Sequence, residues 1–279
     1  MINLDLVGKS FGPSVFEYTW RDVILYHLGI GASARDLDFV FEGARGGLQV
    51  IPTFGVIPAF EVLWQAVKNL NVDVQKVLHG EQTIFAERPI PPQGKLLTTA
   101  RLEGIYDKGK AALVQVRSET AGEQGEVLFR CLAVFFCRGE GGWGGAPGPK
   151  GEPHEVPKDR PPDFAIADQT SPNQAVLYRL MGDVNPLHVD SEFAAGAGFK
   201  QPILHGLCTF GFAARAILKA VCDNDAGRLK EFKVRFSNVV FPGDTVTTRG
   251  WKVKPGLYQV EAATPEGLAL SQAYARVAE

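Results

Sequence analysis

Hydrophobic positions recur at two periods along this chain, and the same succession occurs twice. Val56, Phe60, Leu63 and Val67 fall three or four residues apart, which predicts a helix over residues 55–70. Leu207, Phe210, Ala214, Ile217 and Val221 repeat that spacing and predict a second helix over 207–221. After each helix the period shortens to two, with branched or aromatic residues alternating with polar ones. Such alternation predicts half-buried antiparallel strands. In the first half they fall at 83–86, 96–106, 111–120 and 126–137, with Asp107-Lys108-Gly109 as one turn. In the second they fall at 232–240, 245–253, 257–263 and 269–277, with turns at Pro242-Gly243-Asp244 and Lys254-Pro255-Gly256. Each half is read as opening with a polar, helical stretch.

Between the halves, residues 139–162 read GEGGWGGAPGPKGEPHEVPKDRPP. Glycine and proline at this density do not build a packed element. The expected organisation is therefore an N-terminal unit over 1–138, a linker over 139–162 and a C-terminal unit over 163–279. One helix beside a long antiparallel meander, twice over, is an α+β arrangement. It resembles a double hotdog, in which each of two curved sheets wraps a central helix.

Composition narrows the function. The chain has 279 residues, a net charge of −2 and 45% hydrophobic residues. A near-neutral balance argues against a nucleic-acid partner. No stretch has the ~18 uninterrupted apolar residues of a membrane helix, and the first residues lack the pattern of a signal peptide. Cys131, Cys137, Cys208 and Cys222 sit in apolar segments without CxxC spacing, which points to buried reduced thiols in an intracellular protein. The last residues do not match a Ser-Lys-Leu peroxisomal address, so a bacterial cytoplasm is as open as a peroxisome.

The segment before the second helix carries chemistry. It runs Tyr178-Arg-Leu-Met-Gly-Asp183-Val184-Asn185-Pro186-Leu187-His188-Val-Asp190, then Gly198-Phe-Lys-Gln-Pro-Ile-Leu-His205-Gly206-Leu207. Asn185-Pro186 has the form of an N-cap followed by proline at the first helical position. That holds Asp183 and His188 on either side of a tight bend, an arrangement suited to paired acid–base work. Gly206 opens an apolar helix, where backbone N–H groups lack intrahelical partners and can stabilise a developing oxyanion. Asp183, His188 and Asp190 could in principle form a carboxylate and imidazole metal site. No metal and no cofactor are expected.

Residues 178–190 and 198–207 resemble the signature of the MaoC-like dehydratases, specifically the R-specific enoyl-CoA hydratases called hydratase 2. His79-Gly80-Glu81-Gln82, Asp107-Lys108-Gly109 and the Gly141–Gly145 run resemble the two-unit form found in peroxisomal multifunctional enzymes. The resemblance implies reversible syn addition of water to a trans-2-enoyl-CoA, giving the (3R)-3-hydroxyacyl-CoA. It implies Asp183 and His188 as the acid–base pair, Asn185 as an orienting group and the Gly206 N–H as the oxyanion donor. It places further acyl-CoA contacts on His79, Gly80, Lys108, Val184, Pro186, Leu187 and Phe236, and implies a homodimer. Lys108 also suits a CoA phosphate on chemical grounds, as a point charge in a tight turn. The first half lacks Asp-x-Asn-Pro-x-His, and its helix entry, Pro52-Thr-Phe-Gly55, lacks His-Gly, so one active site per chain is expected. An acyl-CoA thioesterase, an acyl-CoA-binding module, and a hydro-lyase for carrier-linked or branched dicarboxyl-CoA substrates are the competing readings.

Overall fold

The alternation along the chain resolves into one antiparallel sheet of ten strands in the computed structural model, which describes residues 2–279. The strands are β1 (Ser10–Tyr18), β2 (Val77–Ala86), β3 (Gly94–Asp107), β4 (Ala111–Ala121), β5 (Val127–Arg138), β6 (Phe164–Gln169), β7 (Leu229–Phe236), β8 (Thr245–Lys254), β9 (Leu257–Thr264) and β10 (Gly267–Val277). Their order across the sheet is β1-β3-β4-β5-β2-β7-β10-β9-β8-β6. Read from each edge inward, both halves have the same order: first, third, fourth, fifth, second. They join where β2 pairs with β7, from Glu81 opposite Arg235 to Phe85 opposite Glu231. This is the expected double hotdog.

The helices are α1 (Trp20–Gly29), α2 (Leu37–Val40), α3 (Val56–Lys68), α4 (Gln174–Tyr178), α5 (Ser191–Gly196) and α6 (Gly206–Val221). α3 lies on β1, β3 and β4, and α6 lies on β6, β7, β8 and β10. α6 buries every residue from Cys208 to Ala214 and again Ala216, Ile217 and Leu218. A helix apolar nearly all round belongs in a core. Phe210 stacks on Phe232 of β7 with centroids 4.7 Å apart. Gly211 is required by its neighbour: a Cβ there would lie 2.3 Å from Ile30 Cγ2, just past the end of α1. The second half's central helix is thus packed directly against the first half. All four cysteines are buried and free.

Three expectations need correction. Each half sets a strand, β1 or β6, before its first α-helix, in the first half behind a 3-10 turn at Leu4–Leu6. β1 has one fully buried residue and β6 has none, so neither carries a strong apolar alternation. The helix expected over 55–70 spans Val56–Lys68 behind a 3-10 turn at Pro52–Gly55, while the one expected from Leu207 begins at Gly206. β7 ends at Phe236, so the strand expected to reach residue 240 gives way to a loop. No helix is long and apolar enough to cross a membrane among the described residues.

Residues 139–163 contain no helix or strand, yet their start is firmly tied. The Asp107 carboxylate at the end of β3 accepts N–H groups from Gly109, Gly142, Gly144 and Gly145, at 2.8–3.3 Å. These bonds hold the carboxyl below its ordinary range.

Candidate active site

The sequence from Tyr178 to Gly206 builds a loop that returns on itself. α4 continues into a 3-10 turn, Arg179–Met181, which ends at Gly182 with φ of 132°. Residues with a Cβ rarely adopt that conformation. The chain then turns sharply, because the Asp183 carboxylate accepts the Asn185 N–H at 3.2 Å. Asn185 caps the next 3-10 turn, Pro186–His188, its Oδ1 accepting the Leu187 N–H at 3.1 Å. The cap and the N1 proline are those expected from the sequence.

The bend brings His188 Nε2 to 3.9 Å from Asp183 Oδ2. His188 is 8% exposed, whereas the Asp183 side chain is 26% exposed. His188 Nδ1 lies 2.8 Å from the Ile203 carbonyl. A carbonyl only accepts, so Nδ1 carries the proton and Nε2 presents its lone pair towards Asp183. Burial holds the His188 pKa below 6.5, opposed by the Ile203 carbonyl and by Asp183. The imidazole is neutral at neutral pH.

The His205 ring stacks on that of His188, with centroids 3.6 Å apart and planes at 25°. His205 Nε2 lies 3.1 Å from the Asp183 carbonyl. Burial and the adjacent His188 push its pKa down to about 3. The His205 carbonyl accepts the N–H groups of Cys208 and Thr209, which starts α6. Gly206 is exposed. Its N–H makes no hydrogen bond among the described residues, as the first turn of a helix dictates. A Cβ at Gly206 would meet the Phe236 ring at 3.1 Å, so the glycine serves a close approach.

Phe236 in turn meets His79 edge-on, with centroids 5.2 Å apart. Burial lowers the His79 pKa to about 4. His79 lines an apolar crevice with Gln82, Phe135, Leu207 and the α3 residues Val56, Phe60, Leu63, Trp64 and Val67. This crevice lies between the halves, one residue from Gly206. Asp183, Asn185, His188, Gly206, Phe236 and His79 are therefore linked through one continuous set of contacts. Gly80 follows His79 at a bulge in β2, while Val184 and Pro186 are exposed on the bend and Leu187 is half-buried. Lys108 stands apart: its ammonium donates to the Pro147 carbonyl of the linker.

Two residues escaped the sequence reading. The His205 ring was seen only as the neighbour of Gly206; a histidine directly before a fully apolar helix was the available signal. Asp107 was read only as part of a turn. The metal-type donors also differ from those expected. Asp190 is spent capping α5 through the Glu192 and Phe193 N–H groups. Asp183, His188 and His205 instead bring one ligand atom each within 4.8 Å of one another. An ion would need a lone pair from each group at about 2 Å, and His188 Nδ1 and His205 Nε2 are already engaged with the Ile203 and Asp183 carbonyls.

Comparison with known proteins gives the family. Residues 16–139 match the family described as the MFE-2 hydratase 2 N-terminal domain, and residues 154–266 match the MaoC-like domain. The chain is 40% identical over 256 residues to a probable enoyl-CoA hydratase 2 of Dictyostelium discoideum, covering 90% of this chain and 87% of that protein. The chain belongs to the hydratase 2 branch of the MaoC-like family. It is also 40% identical over 267 residues to the peroxisomal enoyl-CoA hydratase 2 of Arabidopsis thaliana, covering 88% of this chain and 85% of that one. The crystal structure of a MaoC-like dehydratase from Phytophthora capsici superposes with a TM-score of 0.90 at 32% identity, over 99% of this chain and 98% of that one.

Proposed function

We propose that this hydratase 2 family member adds water reversibly to trans-2-enoyl-CoA, giving (3R)-3-hydroxyacyl-CoA in fatty-acid metabolism. The observation that carries the reading is the Asp183–His188 pair, 3.9 Å apart, beside the free N–H that opens α6. The thioester oxygen accepts the Gly206 N–H. Charge drawn onto that oxygen makes C3 electrophilic. A water held between Asp183 and His188 attacks C3, and the pair takes one of its protons. That proton returns to C2 on the same face. The pair therefore ends in its starting state, and the reaction consumes only substrate and water. Asn185 holds the bend that sets the pair's spacing.

The second half, 163–279, contributes the acid–base pair and the oxyanion donor. The first half, 1–138, contributes the wall of the crevice, and 139–162 connects them. The acyl chain is assigned to the apolar crevice beside Leu207, which His79 lines, with Gly80 next to His79 in β2 and Phe236 packed on the His79 ring. Lys108 reaches a CoA phosphate only by leaving Pro147. The active unit is a homodimer, as the family resemblance implies. Its compartment is intracellular: the cytoplasm if the source is bacterial, a peroxisome as the alternative.

The test is loss of enoyl absorbance with C4 and C10 trans-2-enoyl-CoA. The product should be oxidised by an R-specific 3-hydroxyacyl-CoA dehydrogenase and not by an S-specific one. Release of free CoA with the enoyl signal intact would replace the hydratase by a thioesterase.

A further inference from the structure

His205 touches three parts of the site at once. Its ring lies face to face with His188 at 3.6 Å and is backed by Tyr178 at 5.0 Å. Its Nε2 donates to the Asp183 carbonyl, fixing the main chain from which the carboxylate projects. Its own carbonyl starts the helix whose first N–H belongs to Gly206. With Nε2 as donor, Nδ1 is the lone-pair nitrogen. It is buried and has no hydrogen-bond partner among the described residues. The residue as a whole is 2% exposed.

Resting on the hydratase reading, we infer that His205 is the positioning residue of this site: a neutral plate that fixes the His188 ring plane and confines the migrating proton to the Asp183–His188 pair. The charged and titratable groups facing the plate are Asp183, His188, Tyr178 and Arg179, and the Arg179 guanidinium is turned to the Val184 carbonyl at 3.4 Å. A proton on His205 Nδ1 would create a buried cation with no acceptor, stacked on a second imidazole that shares the proton. The plate therefore stays neutral while His188 cycles. Phenylalanine would keep the stack and lose the donor, while glutamine would keep a donor and lose the stack.

The experiment uses the full chain with ring-15N histidine, in which only five histidines contribute signals. Wild type is compared with His205→Phe, His205→Gln and His205→Ala. In wild type His188 reports a single Nδ1–H tautomer. His205→Ala converts it to a mixture, and the acid limb of kcat/KM moves to higher pH as water enters beside the ring. In that variant kcat falls at least about tenfold while KM changes less than about threefold, the pattern of lost alignment. His205→Phe restores the tautomer and the pH limb but only part of kcat, and His205→Gln restores neither the tautomer nor the limb. The inference is overturned if the His188 signals and the pH limb stay put in His205→Ala. It is equally overturned if kcat, KM and melting temperature decline together in all three variants, which is the mark of a structural role. A wild-type chain that adds no water to the enoyl thioester would refute the hydratase reading, while the ring signals would still decide whether His205 positions His188.

Discussion

Replacing Asp183 by asparagine separates chemistry from scaffolding at this site. The substitution is nearly isosteric. The Asn185 N–H, 3.2 Å from Oδ1, still finds an amide oxygen. The side chain is a quarter exposed, so no buried charge or cavity is left behind. Exchanging a charged acceptor for a neutral one in that single bond costs about 1 kcal/mol or less. The chemical loss is much larger. General acid–base catalysis contributes roughly 10²–10⁴-fold, or about 3–5 kcal/mol of barrier at 1.36 kcal/mol per tenfold. The amide cannot take the water's proton, and the His188 Nε2 lone pair at 3.9 Å loses its anionic neighbour. Initial rates of enoyl absorbance loss at saturating substrate, run beside a thermal melt, read both terms. The expected result is a kcat at least about a hundredfold lower with the melting temperature nearly unchanged. An Asp183→Asn variant that keeps more than about a tenth of wild-type kcat would refute the pair as the proton carrier.

Gly211→Ala should destabilise the fold: helix propensity gains about 1 kcal/mol, but a Cβ 2.3 Å from Ile30 Cγ2 overpacks the contact between halves by about 1–3 kcal/mol; a melting temperature equal to wild type would count against that contact. Acid should destabilise the protein. His27 and His79 have pKa values lowered to about 4 and His205 to about 3, each from an ordinary 6.5. Their folded forms bind fewer protons than the unfolded chain, so stability is complete above pH 6.5 and is lost as pH falls towards those values. Urea midpoints measured at neutral pH and near pH 5 (about midway through that window) should differ accordingly, with the lower midpoint in acid. Asp107→Asn turns one acceptor oxygen into a donor facing glycine N–H groups, and limited proteolysis within residues 139–150 should accelerate while kcat is unchanged.

The legible parts of the fold were those where burial imposes a period. α3 carries its buried residues at helical spacing, α6 is an apolar run too long for a strand, and β3 alternates along nearly its whole length. β1 and β6 escaped because they form the two outer edges of the sheet, where one face and one flank meet solvent and little apolar patterning is needed. In the site, the bend was legible because local capping builds it: Asn185, Pro186 and Asp183 act within five residues of one another. The stack of His205 on His188 was not, since it joins positions 17 residues apart through tertiary packing. The same applies to Lys108, whose tie to Pro147 spans 39 residues.

The β2–β7 seam bears on dilution. Taken alone, either half would present one of these strands as an open edge, a template for association with any other chain. Joined within one polypeptide, each edge closes on the other at an effective concentration set by the connecting segment rather than by the amount of protein present. The crevice wall from α3 and the Asp183–His188 pair therefore stay together in a single molecule at any protein concentration.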